Sequence, residues 1–247
     1  MKGLILAAGY GTRLYPLTLD KPKPLLEVGG RTILARLIEK LEGVPSCDGV
    51  YVVTNAKFAD VVEQWTHDHI YRFPVEVIND KTLSNDDRLG AIGDIDLVIK
   101  ERSPKDDVLI VAGDNLFEFD ITDFIMFAKN KNCFSIALFD INDKDFARKY
   151  GIVSLDDNGK VVDFQEKPSE PSSTLASTGI YYVPSDKMKA VSEYMKTGNS
   201  KDAPGNFVKW MSVNDEVYGY VFTEGWYDIG DKISLQKADT EYREKGI

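Results

Sequence analysis

A glycine-rich turn followed by two cations is the cluster of residues in this sequence with the clearest chemical potential. Gly9 and Gly11 directly follow the apolar run of residues 3–8, and Arg13 and Lys23 come next along the chain. The backbone N–H groups of such a turn can donate to phosphate oxygens, and nearby cations can neutralise the same phosphates. The pattern therefore predicts a site for a nucleoside triphosphate.

Two common phosphate-binding motifs do not fit this stretch. A dinucleotide fingerprint requires a third glycine where this chain has Leu14, and a Walker A loop requires a Gly-Lys-Ser/Thr sequence that the stretch does not contain. A simpler interpretation stays open for the glycines by themselves. Gly9 and Gly11 would then only form a tight turn, with Arg13 and Lys23 in solvent.

Alternating strands and helices must position these residues. Apolar, β-branched runs predict buried strands, and apolar residues at helical spacing predict helices between them. The strands are predicted at residues 50–54, 75–78, 108–111 and 135–139, and the helices at residues 33–41, 59–70, 89–99 and 121–128. This order predicts an α/β fold with a Rossmann-like, doubly wound, mostly parallel (mixed) sheet.

The pattern changes in the second half of the chain. Shorter strands are predicted at residues 152–155, 161–165, 179–183 and 217–222, with helices at residues 186–195 and 206–211. A last helix is predicted at residues 231–245, capped by Asp231. We expect Ile233, Ala238 and Tyr242 to form its inner face.

The composition limits the classes of partner. The 247 residues are 43% hydrophobic and carry a formal net charge of −10, which predicts a sizeable core and argues against a nucleic-acid-binding surface. No apolar stretch reaches the roughly 20 residues that cross a bilayer, and the residues before the first strand do not form a cleavable signal pattern. We therefore expect no membrane insertion and a cytoplasmic location. A small polyanionic substrate stays compatible with this charge if a local cationic pocket and a metal ion receive it.

A series of short motifs follows one order along the chain. After the string from Leu6 to Leu26 come Gly113-Asp114-Asn115, Tyr150-Gly151-Ile152-Val153, Glu166-Lys167-Pro168, Thr178-Gly179-Ile180-Tyr181 and Trp226-Tyr227-Asp228-Ile229-Gly230. In sequence and order they resemble the motifs of the sugar-1-phosphate nucleotidyltransferases, or nucleotide-sugar pyrophosphorylases, including the thymidylyltransferases and related short forms. The resemblance implies an α/β fold of the nucleotide-diphospho-sugar transferase type.

The implied reaction transfers a nucleotidyl group from a nucleoside triphosphate to a sugar 1-phosphate and releases pyrophosphate. A phosphate monoester is already largely dianionic at neutral pH, so the protein's task is to neutralise charge and align two anions. By resemblance Arg13 and Lys23 are catalytic: Arg13 would neutralise the departing pyrophosphate, and Lys23 would bridge the α-phosphate and the incoming sugar phosphate. The implied nucleotide-binding residues are Leu6, Ala8, Gly9, Gly11, Thr12, Asn85, Gly90 and Asp114.

Asp114 and Asp228 are the metal ligands that the resemblance implies, with Mg²⁺ as the cofactor. Asp114 follows the strand predicted at residues 108–111, and ligands of open α/β sheets bind at such carboxyl ends. Two carboxylates suit Mg²⁺, which keeps waters and phosphate oxygens as its other ligands. Simpler roles stay open, because Asp114 could serve as a turn residue and Asp228 could open the last helix.

The sugar phosphate is assigned to residues of the second half. By resemblance Glu166 would bind sugar hydroxyls and Lys167 the sugar phosphate, while Gly151 and Gly179 would let backbone approach the hexose. Glu166 and Lys167 taken alone could equally form a solvated turn before a proline.

The segment expected to recognise the base departs from the family pattern. Thymidine-specific members have a glutamine and, five residues later, a glycine, whereas this chain has Asn85 and Gly90 with Asp86 and Asp87 between them. Asn85 keeps an amide that can pair with a base edge. We expect a nucleoside triphosphate with a pyrimidine base, and the sequence leaves the sugar undetermined.

Three functions stay open, with the sugar-1-phosphate nucleotidyltransferase in front. The alternatives are a cytidylyltransferase acting on a non-sugar phosphate such as phosphocholine, and a non-catalytic regulatory subunit that binds nucleotide-sugar. We expect a single domain in which residues 1–115 mainly bind nucleotide, residues 116–230 mainly bind sugar phosphate and residues 231–247 form a C-terminal helix. Many relatives are dimers or tetramers, so a homo-oligomer is also open.

Overall fold

Strands and helices are interspersed along the whole chain in the computed structural model, which describes residues 1–247. The strands are β1 (Lys2–Leu6), β2 (Glu27–Val28), β3 (Arg31–Thr32), β4 (Val50–Thr54), β5 (Val75–Asn79), β6 (Val108–Ala112), β7 (Asn115–Phe117), β8 (Phe134–Asp140), β9 (Gly151–Leu155), β10 (Val161–Glu166), β11 (Leu175–Val183), β12 (Val217–Phe222) and β13 (Trp226–Asp228). The helices are α1 (Ile33–Glu42), α2 (Ala59–His67), α3 (Ala91–Arg102), α4 (Ile121–Lys131), α5 (Lys144–Ala147), α6 (Lys189–Met195), α7 (Pro204–Asn214) and α8 (Lys232–Lys245), with short 3₁₀ helices at Thr12–Leu14, Lys23–Leu25 and Ser185–Lys187.

The chain forms two compact units. Unit 1 consists of Met1–Arg88, Val111–Glu118 and Gly225–Ile247. Unit 2 consists of Leu89–Ile110 and Phe119–Glu224. The chain therefore contributes to each unit more than once.

Unit 1 contains parallel strands and the glycine-rich turn. Strand β4 pairs in parallel with both β1 and β5. Helix α1 starts at the cap residue Thr32, whose hydroxyl accepts a hydrogen bond from the Ala35 N–H at 3.2 Å. Its apolar side is buried, as the sequence predicts, and consists of residues at helical spacing: Ile33, Leu34, Leu37, Ile38 and Leu41.

Unit 1 also contains a short antiparallel ribbon that the sequence pattern does not predict. Strand β7 pairs with β13, and the register sets Asn115 opposite Asp228. These strands have only three residues each, which is too short for a recognisable alternation of apolar and polar residues. The ribbon decides which carboxylates lie close together in unit 1.

Unit 2 is built on a mixed sheet. Strand β11 pairs antiparallel with β8 and β9, β9 pairs antiparallel with β10, and β8 pairs in parallel with β12. The predicted α/β fold with a mixed sheet is confirmed. No helix has both the length and the apolar character required to cross a bilayer.

The predicted inner face of the last helix is partly wrong. Ala238 and Tyr242 are buried, but the Ile233 side chain is 80% exposed. At 3.6 residues per turn, Ile233 lies about 180° around α8 from Tyr242, so one helix face cannot hold both. The predicted cap is confirmed, because the Asp231 carboxylate accepts a hydrogen bond from the Ser234 N–H at 2.8 Å.

Candidate functional site

The glycine-rich turn presents unused hydrogen-bond donors. Gly11 adopts a left-handed backbone with φ of 61°, and the Thr18 hydroxyl donates to its carbonyl oxygen at 2.7 Å. The N–H groups of Gly9 and Gly11 donate to no other atom of the chain. A Cβ atom at Gly9 would meet nothing within 4 Å, so the backbone there faces open space. Such donors can bind phosphate oxygens.

Two further predicted residues, Leu6 and Thr12, border this turn. The Leu6 carbonyl oxygen accepts a hydrogen bond from the Gly113 N–H at 2.8 Å, and a Cβ atom at Gly113 would lie only 2.5 Å from the same oxygen. Only glycine fits this approach, which sets the next residue, Asp114, beside the end of β1. Thr12 is exposed and begins the 3₁₀ helix that carries Arg13.

A buried lysine meets the predicted metal carboxylate. Lys23 Nζ lies 2.8 Å from Asp114 Oδ2, and Lys23 as a whole is only 8% exposed. The Asn115 amide donates to Asp114 Oδ1 at 2.7 Å. Burial by itself raises the pKa of Asp114, but the Lys23 ammonium and the Asn115 hydrogen bond hold that pKa below its ordinary value. Asp114 is therefore an anion at neutral pH.

The backbone of Asp228, which bears the second predicted carboxylate, lies next to that of Asp114 at the end of the β7–β13 ribbon. The Ile229 N–H donates to the Asp114 carbonyl oxygen at 2.9 Å, which fixes the backbone beside Asp228. Arg13 and Asp228 both approach Gly230. A Cβ atom placed on Gly230 would lie 3.7 Å from Arg13 Nη1 and 3.8 Å from Asp228 Oδ2. Unit 1 therefore brings together all four charged residues that the sequence singles out there: Arg13, Lys23, Asp114 and Asp228.

The two carboxylates of this group suit a magnesium ion that also binds water and phosphate oxygens. They do not form a site in which the protein supplies every ligand. No cluster of three or more histidine, cysteine, aspartate or glutamate side chains is arranged to hold an ion by itself. Two carboxylates at neighbouring positions leave the remaining coordination to water and to phosphate oxygens, as Mg²⁺ commonly requires. Asp114 and Asp228 would hold it.

The residues predicted for the sugar phosphate lie in unit 2. Glu166 is the antiparallel partner of Gly151, and the Glu166 carboxylate lies 4.0 Å from Lys167 Nζ. Burial raises the pKa of Glu166 above its ordinary value, and the Lys167 ammonium opposes that rise. Lys167 adopts a left-handed backbone with φ of 46°, which is unusual for a residue with a side chain and occurs often at functional sites.

Glycines shape the space around Glu166. A Cβ atom at Gly151 would lie 2.5 Å from the Phe164 ring, and one at Gly205 would lie 2.2 Å from the same ring and 2.7 Å from Glu166 Oε2. Gly179 has φ of 75° and lies in an irregular part of the β8–β11 pairing. Gly151 and Gly205 therefore leave the room that the Phe164 ring and the Glu166 carboxylate occupy.

The residues predicted for the base are not in one unit. Asn85 is exposed at the end of the longest segment of unit 1, in a loop that the Asp87 carboxylate holds by accepting bonds from the Leu83 and Ser84 N–H groups at 2.9 and 2.7 Å. Gly90, in unit 2, precedes α3 with φ of 79°, and a Cβ atom there would lie 2.7 Å from the Lys201 carbonyl oxygen. Their base-binding roles stay predictions.

Several residues that orient the predicted ones are not evident from the sequence. The Trp226 indole donates to Asn115 Oδ1 at 2.8 Å, which turns the Asn115 amide nitrogen toward Asp114. Both residues belong to motifs that the sequence shows, but the sequence gives no indication of what these two residues do. Gly205 and the buried Asn55 carried no motif, and only their contacts identify them.

Residues 2–245 match the sequence model of a family described as nucleotidyl transferase. The bifunctional protein GlmU of Methanocaldococcus jannaschii is 26% identical over 253 residues, which cover 99% of this chain and 57% of that protein. GlmU of Methanococcus aeolicus is 27% identical over 241 residues, covering 97% of this chain and 54% of that protein. This chain spans just over half the length of these curated relatives.

Solved structures share the fold over nearly the whole chain. A structure assigned as a glucose-1-phosphate thymidylyltransferase from Bacillus anthracis, in complex with a sucrose, is 26% identical with a TM-score of 0.81, covering 99% of this chain and 96% of that one. A UDP-glucose pyrophosphorylase complexed with UDP-glucose is 20% identical with a TM-score of 0.82, covering 99% and 98%. The resemblance drawn from the motifs is confirmed, as is the nucleotide-diphospho-sugar transferase type of fold.

Proposed function

Because the chain belongs to the nucleotidyl transferase family, we propose that it transfers a nucleotidyl group from a nucleoside triphosphate to a sugar 1-phosphate and releases pyrophosphate. The observation that carries the proposal is the group of four charged residues in unit 1. Lys23 pairs with Asp114 at 2.8 Å, and Arg13 and Asp228 flank Gly230. Two cations and two carboxylates suit a reaction between two phosphorylated anions.

Charge neutralisation is the main task of these residues. The sugar phosphate oxygen attacks the α-phosphorus, and the bond to the β-phosphate oxygen breaks with its electron pair leaving on pyrophosphate. Lys23 would reduce the repulsion between the two phosphates, and Arg13 would receive the charge that develops on the leaving group. The unused N–H groups of Gly9 and Gly11 add fixed donors to the same task.

Lys23 and Asp114 neutralise each other before substrate arrives, which offsets the cost of keeping a lysine buried. Bound magnesium would supply positive charge at the α-phosphate. Asp114 would hold that ion with Asp228, and Lys23 would provide a cation for a phosphate oxygen beside it. The ion pair thus keeps Lys23 and Asp114 charged and in position, Lys23 for a phosphate and Asp114 for the metal ion.

Glu166 and Lys167 are proposed to bind the sugar 1-phosphate. Lys167 provides a cation for its phosphate, and Glu166 provides acceptors for sugar hydroxyls. Burial raises the pKa of Glu166, but a carboxyl group accepts hydrogen bonds through its oxygens in either protonation state, so the acceptors remain. The assignment of Gly151 and Gly179 to the same subsite is part of this proposal.

The preference for a pyrimidine nucleotide is supported by one relative. The Bacillus anthracis structure is named for thymidylyl transfer to glucose 1-phosphate and is 26% identical to this chain. Asn85 can offer an amide to a base edge, but no contact in the structure fixes its side chain. A pyrimidine triphosphate and a hexose 1-phosphate are therefore our first substrates to test, with cytoplasmic location and homo-oligomer formation as further predictions.

The experiment is pyrophosphate release in the presence of Mg²⁺, with several nucleoside triphosphates crossed against hexose 1-phosphates and phosphocholine. Asp114→Asn is the matched blank, because the amide keeps the size of the side chain and still accepts from Lys23. We expect release that needs one triphosphate and one sugar 1-phosphate, stops with EDTA and is restored by added Mg²⁺.

Two outcomes would replace the proposal. Release only with phosphocholine would favour the cytidylyltransferase alternative. No release with any pair, together with tight binding of a nucleotide-sugar, would favour the regulatory subunit. Each outcome is decided by the same grid of substrates.

A further inference from the structure

The Ala8–Gly9 peptide of the glycine-rich turn is oriented by the Asn55 side chain. The Asn55 amide donates to the Ala8 carbonyl oxygen at 2.9 Å. The Ala8–Gly9 peptide is trans, so its C=O and N–H groups point in opposite directions. With the carbonyl directed to Asn55, the Gly9 N–H points to the opposite side. The Gly9 N–H has no partner in the chain, and a Cβ atom at Gly9 would meet nothing within 4 Å.

Asn55 is itself held on both of its polar atoms. It follows the last residue of β4, is completely buried, and its Oδ1 accepts a hydrogen bond from the Phe58 N–H at 3.2 Å. This second bond fixes which way the amide faces, because only the nitrogen remains to meet Ala8. Because it is completely buried, the residue supports the turn and does not itself reach a ligand.

Tyr10, the next residue of the turn, is also held by a buried hydrogen bond. The Thr82 hydroxyl donates to Asp80 Oδ1 at 2.8 Å, so the Tyr10 hydroxyl, 3.0 Å from the same Thr82 oxygen, must be its donor. Tyr10, Thr82 and Asp80 are all buried. Residues on both sides of Gly9 are thus fixed by buried hydrogen bonds, while Gly9 itself faces open space.

We propose that Asn55 is a positioning residue that turns the Gly9 N–H toward a phosphate of the bound nucleotide. Without the bond to Ala8, the peptide can rotate, and the Gly9 N–H is no longer held in the direction that a phosphate oxygen needs. Preorganised donors are effective because their orientation is set before the ligand arrives. The inference rests on the proposed function and adds to it the residue that aims the donor.

The first test uses inorganic pyrophosphate as the probe, so it does not depend on which nucleotide is the substrate. In an ¹⁵N–¹H correlation spectrum of the whole chain with Mg²⁺, we expect the Gly9 amide resonance to move as pyrophosphate is added. Asn55→Asp keeps an acceptor for Phe58, and its carboxylate form has no hydrogen to donate to Ala8. Asn55→Ala, measured beside it, removes the donor in every protonation state. We expect the Gly9 resonance of each variant to move much less at equal pyrophosphate occupancy.

Kinetics provide the second readout. For Asn55→Asp we expect kcat/KM for the triphosphate to fall at least roughly tenfold, less than the 10²- to 10³-fold that complete loss of one preorganised donor costs. The KM for the sugar 1-phosphate should not change. Asn214→Asp removes a comparable amide-to-carbonyl bond, to Trp210, and Ser135→Ala removes the bond that the hydroxyl of a completely buried residue donates to the Cys133 carbonyl oxygen. Both controls should keep wild-type values.

The outcomes separate this inference from the proposed function. If the wild-type enzyme transfers nucleotide but the Gly9 amide resonance does not move when pyrophosphate is added, the positioning role of Asn55 is overturned. The proposed function then stands. An Asn55→Asp variant with wild-type kinetics overturns it as well. If Asn55→Asp does not fold, Asn55→Ala and the wild-type titration decide. If no substrate pair reacts and pyrophosphate does not bind, both proposals fail together.

Discussion

Replacing Gly205 with alanine should damage sugar-phosphate use selectively. Gly205 lies in the first turn of α7, and a Cβ atom there would lie 2.2 Å from the Phe164 ring and 2.7 Å from Glu166 Oε2. Both distances are shorter than the 3.0 Å below which some atom must shift. In Gly205→Ala the ring and the carboxylate must therefore move.

The size of the effect follows from these distances. Restoring contact distances to both groups requires movement of roughly 1 Å, and a displacement of that size costs on the order of 10²-fold in rate. The effect on stability is smaller, because alanine gains about 1 kcal/mol of helix propensity while overpacking costs about 1–3 kcal/mol. We therefore expect a folded protein with a large, local loss of function.

The assay is steady-state pyrophosphate release, with each substrate varied while the other is saturating. We expect kcat/KM for the sugar 1-phosphate to fall on the order of 10²-fold, while the KM for the triphosphate stays unchanged. Gly219→Ala is the matched control, because its Cβ would lie 2.6 Å from Leu138 and 2.8 Å from Leu155, both apolar. It should lose stability without changing sugar-phosphate kinetics.

A double variant tests whether the Phe164 ring transmits the effect. Phe164→Leu combined with Gly205→Ala removes the ring atoms that the new methyl group would meet, so part of the sugar-phosphate activity should return. Two results would refute the reasoning: unchanged sugar-phosphate kinetics in folded Gly205→Ala, or equal losses for both substrates. The first would mean that Glu166 does not contact the sugar, and the second that the damage is general.

Four further predictions concern the charged group of unit 1 and helix α8. Arg13→Ala should lose on the order of 10²- to 10³-fold in kcat with its melting temperature unchanged, since the Arg13 side chain is exposed; near-native turnover would remove Arg13 from the mechanism. Asp114→Asn should be similarly inactive but folded, and isothermal titration should show loss of Mg²⁺-dependent nucleotide binding. Because Lys23 helps hold the pKa of Asp114 below 3.8, the stability from this pair is present above that pH and is lost as the pH falls through the lowered pKa. Lys23→Met should thus be less stable than wild type in urea at neutral pH, with a gap that narrows in strong acid; a constant gap would refute the pairing. Ile233→Lys should leave the melting temperature unchanged, whereas Ala238→Lys should lower it strongly, and equal effects would contradict the orientation of α8.

The sequence by itself determined the features that depend on local patterns. The apolar spacing of α1 and the cap of α8 at Asp231 involve residues within a few turns of one another, and both appear as predicted. The glycine turn followed by Arg13 and Lys23 also led to the prediction of a phosphate site, because residue types and short spacings carry that information. Ile233 shows the limit, since charged and apolar residues mixed along α8 did not define one buried face.

Tertiary structure alone decided which distant groups meet. Asp228 lies beside Asp114 because β13 pairs with β7, two strands of three residues each, too short to be recognised in the sequence. Asn55 reaches the Ala8 carbonyl only because β4 runs parallel to β1 and ends at the same edge. Such contacts depend on strand register and close approach between segments far apart in the chain, and no local pattern of residues encodes them.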